Sequence, residues 1–491
     1  MAHDDSTPAR PDGIDPAGMR VIWLLLVAAF VAILNETTMG IAIPHLNRDL
    51  GLPPELGQWM TSAFMLTMAV IIPTTGFLLQ RFTTRQVFIA AMSAFSLGTL
   101  VALIAPGFAV LLVGRVVQAL GTGVMMPLLM TTMMNVVPPQ HRGRMMGRVS
   151  LVMSLAPAIG QSVSGAVLDA LSWRWLFAIM LPIALVSLIV GARLMTNLGT
   201  TRDAPIDAVS VPLSALAFGG IVFGLSQFSG GAADGDGISP AMIGIVSLAV
   251  GAVALGLFVW RQLVLQRDDR ALLDLRVLRS GNYSIAVIIT ALVALTMFGT
   301  LTTLPIYLQD VVGLEALEAG LIMLPGSVLM GLLGPIMGRV YDRHGPRPLL
   351  VPGTALVAAM LFLYSTVGES TPVPLLVAGQ IGFSIGMAMS FTPLFSASLG
   401  SLPRSLYSHG SAVLSSLQQV AGAAGVAILI ATYSGLLQSG LADGLDARVA
   451  GAAGTRAGFL IAAIIAIVPF ALSFFVRKPA DQQSPGAPAA H

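Results

Sequence analysis

Residues 21–44 read VIWLLLVAAFVAILNETTMGIAIP, an apolar run broken by a single charge, Glu36. About 20 apolar residues cross a hydrocarbon core of ~30 Å, so this run is long enough to span a membrane. Runs of this kind number about fourteen: 21–44, 58–79, 86–105, 108–135, 146–170, 175–196, 208–229, 240–264, 282–309, 317–340, 348–367, 373–396, 407–435 and 453–476. The short connections leave no room for a soluble domain. Composition agrees: the 491 residues are 55% hydrophobic and 10% charged, with mean hydropathy +0.86, against about 25% charged in a soluble chain. The chain reads as an all-α polytopic membrane protein.

Several function classes drop out. The net charge is +2, but the cations are scattered over loops and form no basic face, so no nucleic-acid partner is expected. Cysteine is absent and Lys478 is the single lysine. A GxxxxGK[ST] phosphate loop is therefore impossible. No ATP site or other cofactor is expected, and any pumping draws on an ion gradient or a separate ATPase. The six His lack H-x-x-x-H spacing, so no metal site is expected. Gly382-Phe-Ser384-Ile-Gly386 has the esterase-elbow pattern but lies inside an apolar span, without the strand–turn–helix context that chemistry needs. Residues 1–20 are polar and Pro/Gly-rich, and read as a disordered tail. They are not a secretory signal, because the run that follows exceeds an h-region of 7–15 residues.

Short loops rich in Lys and Arg face the cytoplasm. With the N-terminus inside, one side collects Arg20, Arg81, Arg85, Arg142, Arg144, Arg148, Arg193, Arg202, Arg267, Arg270, Arg276, Arg279, Arg343, Arg347, Arg404, Arg477 and Lys478; the other has Arg48, Arg174, Arg448 and Arg456. This predicts an inner-membrane protein with both termini cytoplasmic. The five Trp (Trp23, Trp59, Trp173, Trp175 and Trp260) fall at span ends, as interfacial anchors do.

An internal repeat is visible. Gly76-Phe-Leu-Leu-Gln80-Arg81-Phe-Thr83-Thr-Arg85 is echoed by Gly338-Arg-Val-Tyr-Asp342-Arg343-His-Gly345-Pro-Arg347, about 262 residues later. Two pseudo-symmetric halves are a transporter signature. The expected organisation is a tail (1–20), a six-span half (21–196), two linker spans with a connector (197–281), a second six-span half (282–476) and a tail (477–491). Asp342 is placed to cap the next span and meet nearby Arg, favoured by the helix dipole. Gly345 permits the tight turn. Such a charged clip holds one closed conformation; a solvated hairpin is the plainer alternative. With Gln80 and Thr83 in place of Asp and Gly, the first copy is a neutral clip.

These segments resemble the loop signature of the major facilitator superfamily, G-x-L-x-D-R-x-G-x-R. Over residues 20–478 the chain is similar to the fourteen-span drug:proton antiporters. Residues 34–44 resemble that group's first-span motif, L-D-x-T-x-x-N-x-A-x-P. Leu111-x-x-x-Arg115-x-x-Gln118-x-x-Gly121-x-Gly123 resembles the fourth-span motif with its buried Arg. Ala156-Pro157-Ala-Ile-Gly160-x-x-x-Ser164-Gly165, then Ser172-Trp173-Arg174-Trp175-Leu-Phe177, resembles the fifth-span antiporter motif and its exit. Leu304-Pro305-Ile-Tyr307-Leu-Gln309 and Gly320-Leu-Ile-Met-Leu-Pro325-Gly326 resemble the ninth and tenth spans. The resemblance implies the major facilitator fold, with two extra central helices, and proton-coupled export. Departures are specific. The family's first-span Asp is Asn35 here, with Glu36 beside it, and Ala156 and Gln161 replace two glycines of the antiporter motif.

Glu36 costs roughly 2.5–3.5 kcal/mol at a bilayer centre. Counted from the outer ends of their spans, Arg115 lies roughly 10 Å and Glu36 roughly 12 Å deep at 1.5 Å per residue. The pair reads either as a proton-coupling site, with Asn35, or as an ion pair fixing helix packing. Pro157, Gly160 and Gly165 read as helix packing and, by resemblance, as a seal against leak. Met125 and Met126, with Thr37 and Gln118, and Phe298, Tyr307 and Gln309 on span nine, are candidates for a substrate cavity; a core or lipid-facing methionine stripe is the alternative. The expected function is proton-coupled export of amphipathic small molecules such as drugs, antibiotics and dyes, by alternating access in a monomer surrounded by lipid. A dedicated exporter of a lipid, siderophore or metabolite, or a non-transporting receptor, remain alternatives.

Overall fold

The structure, a computed structural model, describes residues 16–51, 54–197, 207, 209–228, 239–268 and 270–479. The expected tails over 1–15 and 480–491 and Arg202 lie outside the described residues. All regular structure among the described residues is helical. The first half comprises α1 (Pro16–Leu50), α2 (Pro54–Ile71), α3 (Thr75–Arg81), α4 (Thr84–Leu103), α5 (Phe108–Val136), α6 (Arg142–Ala170) and α7 (Arg174–Leu194). The short α8 (Ser210–Ser214) and α9 (Gly220–Ser226), joined by a π-helical turn, and α10 (Pro240–Leu265) follow. The second half comprises α11 (Gly281–Ile306), α12 (Ala316–His344), α13 (Arg347–Tyr364), α14 (Val373–Gly400), α15 (Tyr407–Ala442) and α16 (Ala447–Ser473). The α2 and α3 helices run on through a 3₁₀ turn as one span.

Among the described residues twelve helices are long and apolar enough to cross a membrane, where the sequence predicts fourteen spans. The other two are α6, whose first turns carry Arg142, Arg144 and Arg148, and Ser210–Ser226, which is short. Glycines dilute the hydropathy of Ser210–Ser226, yet they make its contact with α10. A Cβ on Gly220 would meet Gly251 Cα at 3.1 Å, and one on Gly224 would meet Gly244 O at 2.9 Å. The helix α1 starts at Pro16 and runs to Leu50, beyond both expected ends. Its extension is held by Leu46, buried with Met39, Ala42 and Trp173. Trp173 is thus a core residue rather than an interfacial anchor: it is 1% exposed and set edge-on to Phe177, whereas Trp23, Trp59, Trp175 and Trp260 are exposed.

Consecutive spans alternate in direction. On the face where α1 begins, called here the N-terminal face, Arg85 on α4 donates to Ala192 O at the end of α7, and Arg347 on α13 donates to Val476 O after α16. On the opposite face Arg174 donates to Ala105 O, and Tyr307 to Gly368 O.

The halves meet near the N-terminal face. There α6 and α12 pack backbone to backbone through Gly143 and Gly147 on one helix and Gly334 and Gly338 on the other. A Cβ on Gly338 would lie 2.1 Å from Gly143 O, and one on Gly147 would lie 2.3 Å from Gly334 O. Small residues allow this approach, which lipid-embedded helices use in place of hydrophobic attraction. Asp342 completes it by accepting from the amides of Gly143 (2.7 Å) and Arg144 (2.9 Å). The expectation that Asp342 caps the next span is therefore corrected. It caps α6, in the other half, because α6 presents free amides at its first turn, while Arg343 is exposed. Gly345 ends α12 with φ of +79°, a conformation glycine tolerates.

Further contacts close the same face. Ser150 and Thr392 hydroxyls lie 3.1 Å apart, and those of Thr131 and Ser411 lie 2.7 Å apart. Buried Arg142 donates to Met134 O (3.0 Å) and Val137 O (3.3 Å) at the end of α5, and to Tyr407 Oη on α15 (3.2 Å). Toward the opposite face, Gly165 of α6 and Gly320 of α12 border open space, with nothing within 4 Å of a Cβ built on either.

Two opposite outcomes are expected on α6 and α12. Gly338→Leu cannot close the seal, so a cysteine placed at Ser150 in this cysteine-free chain should react with a maleimide at least ~10-fold faster, the change that about 1.4 kcal/mol produces. Gly165→Ala should leave that rate unchanged and hold or raise the melting temperature, since Ala is favoured over Gly in a helix by about 0.5–1 kcal/mol.

Candidate functional site

The site grows from the tight contact between α4 and α5. A Cβ on Gly98 would lie 2.4 Å from Gln118 N, and one on Gly121 would lie 2.3 Å from Ala91 O. This proximity lets Thr99 on α4 accept from Gln118 Nε2 at 2.7 Å. Gln118 is fully buried, and its amide is used throughout. Its oxygen accepts from Arg115 Nη1 (3.0 Å) and Asn35 Nδ2 (3.4 Å), and its nitrogen also reaches Asn35 Oδ1 (3.4 Å). Arg115 is equally buried, and its guanidinium lies over the Phe64 ring, 4.1 Å from the centroid. A desolvated cation over an aromatic face gains about 2 kcal/mol, which offsets part of the cost of burying it. Its Nε has no hydrogen-bond partner among the described residues.

Glu36 follows Asn35 by one residue and so points about 100° away around α1. It is half-buried, outside the amide cluster. The hydrogen bond of Arg115 goes to Gln118. Asn35 is the neutral partner inside the cluster. The sequence pointed to Glu36 and Arg115 by depth; the bridging amide between Arg115 and Asn35 was legible only as an i, i+3 pair on one helix.

The same stretch of α1 is gripped by α6. A Cβ on Gly160 would lie 2.3 Å from Thr37 Oγ1, and Ser164 Oγ donates to Thr38 O at 2.9 Å. Pro157 separates this part of α6 from the part that meets α12. Gly165 takes no part in the contact.

The cavity candidates do not converge. Met125 is core, and Met126 packs against that core. Phe298 stacks on Gly422 of α15. Tyr307 is buried, bonded to Gly368 O at the opposite face, and Gln309 is exposed, bonded to Pro305 O of its own helix. Of this set only Thr37 and Gln118 lie beside Glu36 and Arg115.

The loop residues mark the seal. Gly338 and Asp342 bind α6, as described. In the first copy, Gly76 packs on His409 of α15, Gln80 Nε2 donates to Ser405 O (3.1 Å), and Arg81 ends α3. Arg142 carries a larger part of the seal than its sequence suggests. It was legible only as a loop cation, because its partners Met134, Val137 and Tyr407 are backbone carbonyls and a distant phenol.

Residues 25–426 match the Major Facilitator Superfamily. The chain is 40% identical over 466 residues to the uncharacterized MFS-type transporter YcnB of Bacillus subtilis (strain 168), covering 94% of this chain and 96% of that one. It is 36% identical over 463 residues to the lincomycin resistance protein LmrB of Listeria monocytogenes, covering 93% and 96%. It is 29% identical over 423 residues to the multidrug resistance protein B homolog of Mycobacterium tuberculosis, covering 85% and 77%. In fold it is similar to the human organic anion transporter MFSD10, with a TM-score of 0.65 at 16% identity over 94% of this chain and all of that one. The chain is a multi-pass membrane protein and belongs to the Major Facilitator Superfamily of transporters.

Proposed function

We propose that this transporter is a proton-coupled exporter of amphipathic small molecules in the cell's inner membrane, with both termini cytoplasmic. The observation that carries the reading is Glu36, a half-buried membrane acid set beside a buried Arg115 whose hydrogen bond goes to an amide. An acid in this setting is exposed to two opposed influences: burial favours its neutral form and a guanidinium favours its anion. Opening to one side and then the other changes the balance between them. Glu36 takes a proton on the outer side and releases it on the inner side, where cargo competes for the deprotonated site. Arg115, fixed by Gln118 and Phe64, supplies a constant positive charge. Asn35 orients Gln118 and stays neutral throughout.

The seal at the N-terminal face fits one end of an alternating-access cycle, with the cytoplasmic face closed. Its glycine contact, Asp342 and Arg142 form together or separate together. No ATP or other cofactor enters the scheme, and the transporter works as a monomer. The cargo class rests on relatives named for lincomycin and multidrug resistance. Thr37 and Gln118 are the polar groups nearest Glu36 for such cargo, and fourteen spans, counting α6 and Ser210–Ser226, complete the topology.

In proteoliposomes with an imposed pH gradient, Glu36→Gln should cut gradient-driven uptake of dyes and lincosamides at least ~10-fold, a loss of about 1.4 kcal/mol or more in coupling. Undiminished gradient-driven uptake would refute the assignment. Asn35→Asp added to Glu36→Gln returns an acid to the cluster facing Gln118 and should restore part of the coupled flux. Restoration to the wild-type pH dependence would show that either position serves. No counter-transport by the wild type, across a panel of cargo, would instead favour a receptor.

A further inference from the structure

The connector between α10 and α11 is expected from sequence to be a cytoplasmic loop carrying Arg267, Arg270, Arg276 and Arg279, but much of it is buried. Leu272, Leu273 and Val277 are part of the main core, and Asp274 is 4% exposed. Its charges are satisfied locally: Asp274 accepts from Arg276 N (2.9 Å) and pairs with the Arg276 guanidinium, capping the short 3₁₀ helix Leu275–Arg279.

Two anchors hold the connector. From behind, Gln262 near the end of α10, fully buried, accepts from Leu273 N (3.1 Å) and donates to Ser210 Oγ on α8 (2.8 Å). Asp207, next to α8, fixes this pair. It binds Arg261 through both carboxylate oxygens, at 2.6 and 2.7 Å, and accepts from Ser210 Oγ. The Arg261 hydrogen bonds hold the Asp207 carboxyl well below the usual carboxylate range. In front, Asp274 N donates to His409 Nδ1 at 3.3 Å. That imidazole, buried in the first turn of α15, is the surface against which Gly76 of the first half packs; a Cβ on Gly76 would lie 2.8 Å from Nδ1. First half, second half and connector therefore meet at one side chain. Beside it lies a cavity of about 300 Å³ lined by Gln80, Ala271, Asp274, Arg276, Ser405, Leu406 and His409.

We infer that residues 271–279 are a strap that docks on the α3–α15 side of the seal and must leave it before the N-terminal face opens, and that α8, α9 and α10 serve to hold that strap in place. The inference rests on the proposed alternation between two closed faces, and not on the cargo or the proton. Gln262→Leu removes the rear anchor. In membranes, without cargo or gradient, it should raise the maleimide reaction rate of a cysteine at Ser411, the chain's only thiol, at least ~5-fold. A rate equal to that of the parent Ser411→Cys protein overturns the strap. Independently, cysteines at Ala271 and Ser405 should be joined by a short bis-maleimide, and the joined protein should lose transport that the unjoined variant retains. Failure to join, or full transport by the joined protein, also overturns it. Should the wild type transport none of the proposed cargo, the labelling rates still decide the strap, so the two readings fail separately.

Discussion

At Gly143, Gly147, Gly334 and Gly338 the backbones of α6 and α12 touch, and the two halves depend on that contact. In a membrane the flanking lipid is as apolar as leucine, so helices gain little from merely being adjacent. What they gain comes from close approach and from hydrogen bonds that close approach permits. Asp342 reaches the amides of Gly143 and Arg144 only because no side chain stands between the helices. A carboxylate at a partly buried helix N-terminus contributes up to ~2 kcal/mol. Packing and capping are therefore gained or lost together, and the seal behaves as a two-state contact rather than a graded one.

One helix carries both this contact and the grip on the candidate site. Near the N-terminal face α6 meets α12; beyond Pro157 it meets α1 through Gly160 and Ser164, next to Thr37 and Glu36. A proline interrupts the hydrogen-bond ladder and lets the two segments of a helix bend against each other. Events at Glu36 and at the seal thus share a rigid element with a single weak point. That gives coupling between them a physical route, without a long chain of intermediaries.

Much of this was legible in the sequence, for identifiable reasons. The apolar runs located the helices because crossing a membrane demands length and little else. Gln80 was legible as a neutral clip because an amide carries no charge wherever it lands. Asp342 was legible as a cap, but its partner was not, since α6 lies some 200 residues earlier in the chain. Trp173 failed as an anchor because position at a span end does not say whether a side chain faces lipid or a neighbouring helix. Arg142 and the connector were hidden for a common reason. Cations in short loops satisfy the inside-positive pattern whether they are solvated or, as here, fastened to carbonyls and to a neighbouring carboxylate.

The two sides of the seal are unequal, and the connector lies on the weaker one. Between α12 and α6 a carboxylate caps a helix through two amides. Between α3 and α15 the equivalent residue, Gln80, offers one neutral hydrogen bond to Ser405 O. Neutral bonds contribute about 0.5–1.5 kcal/mol, while those to charged groups contribute about 1.5–3. On this side the first half also meets α15 through the Thr131–Ser411 and Arg142–Tyr407 hydrogen bonds. Docking of Asp274 on His409 braces α15 there, drawing on an anchor in α8 and α10 that belongs to neither half. Under the proposed strap the extra central helices have a mechanical role: they brace the side of the seal whose clip is a neutral amide.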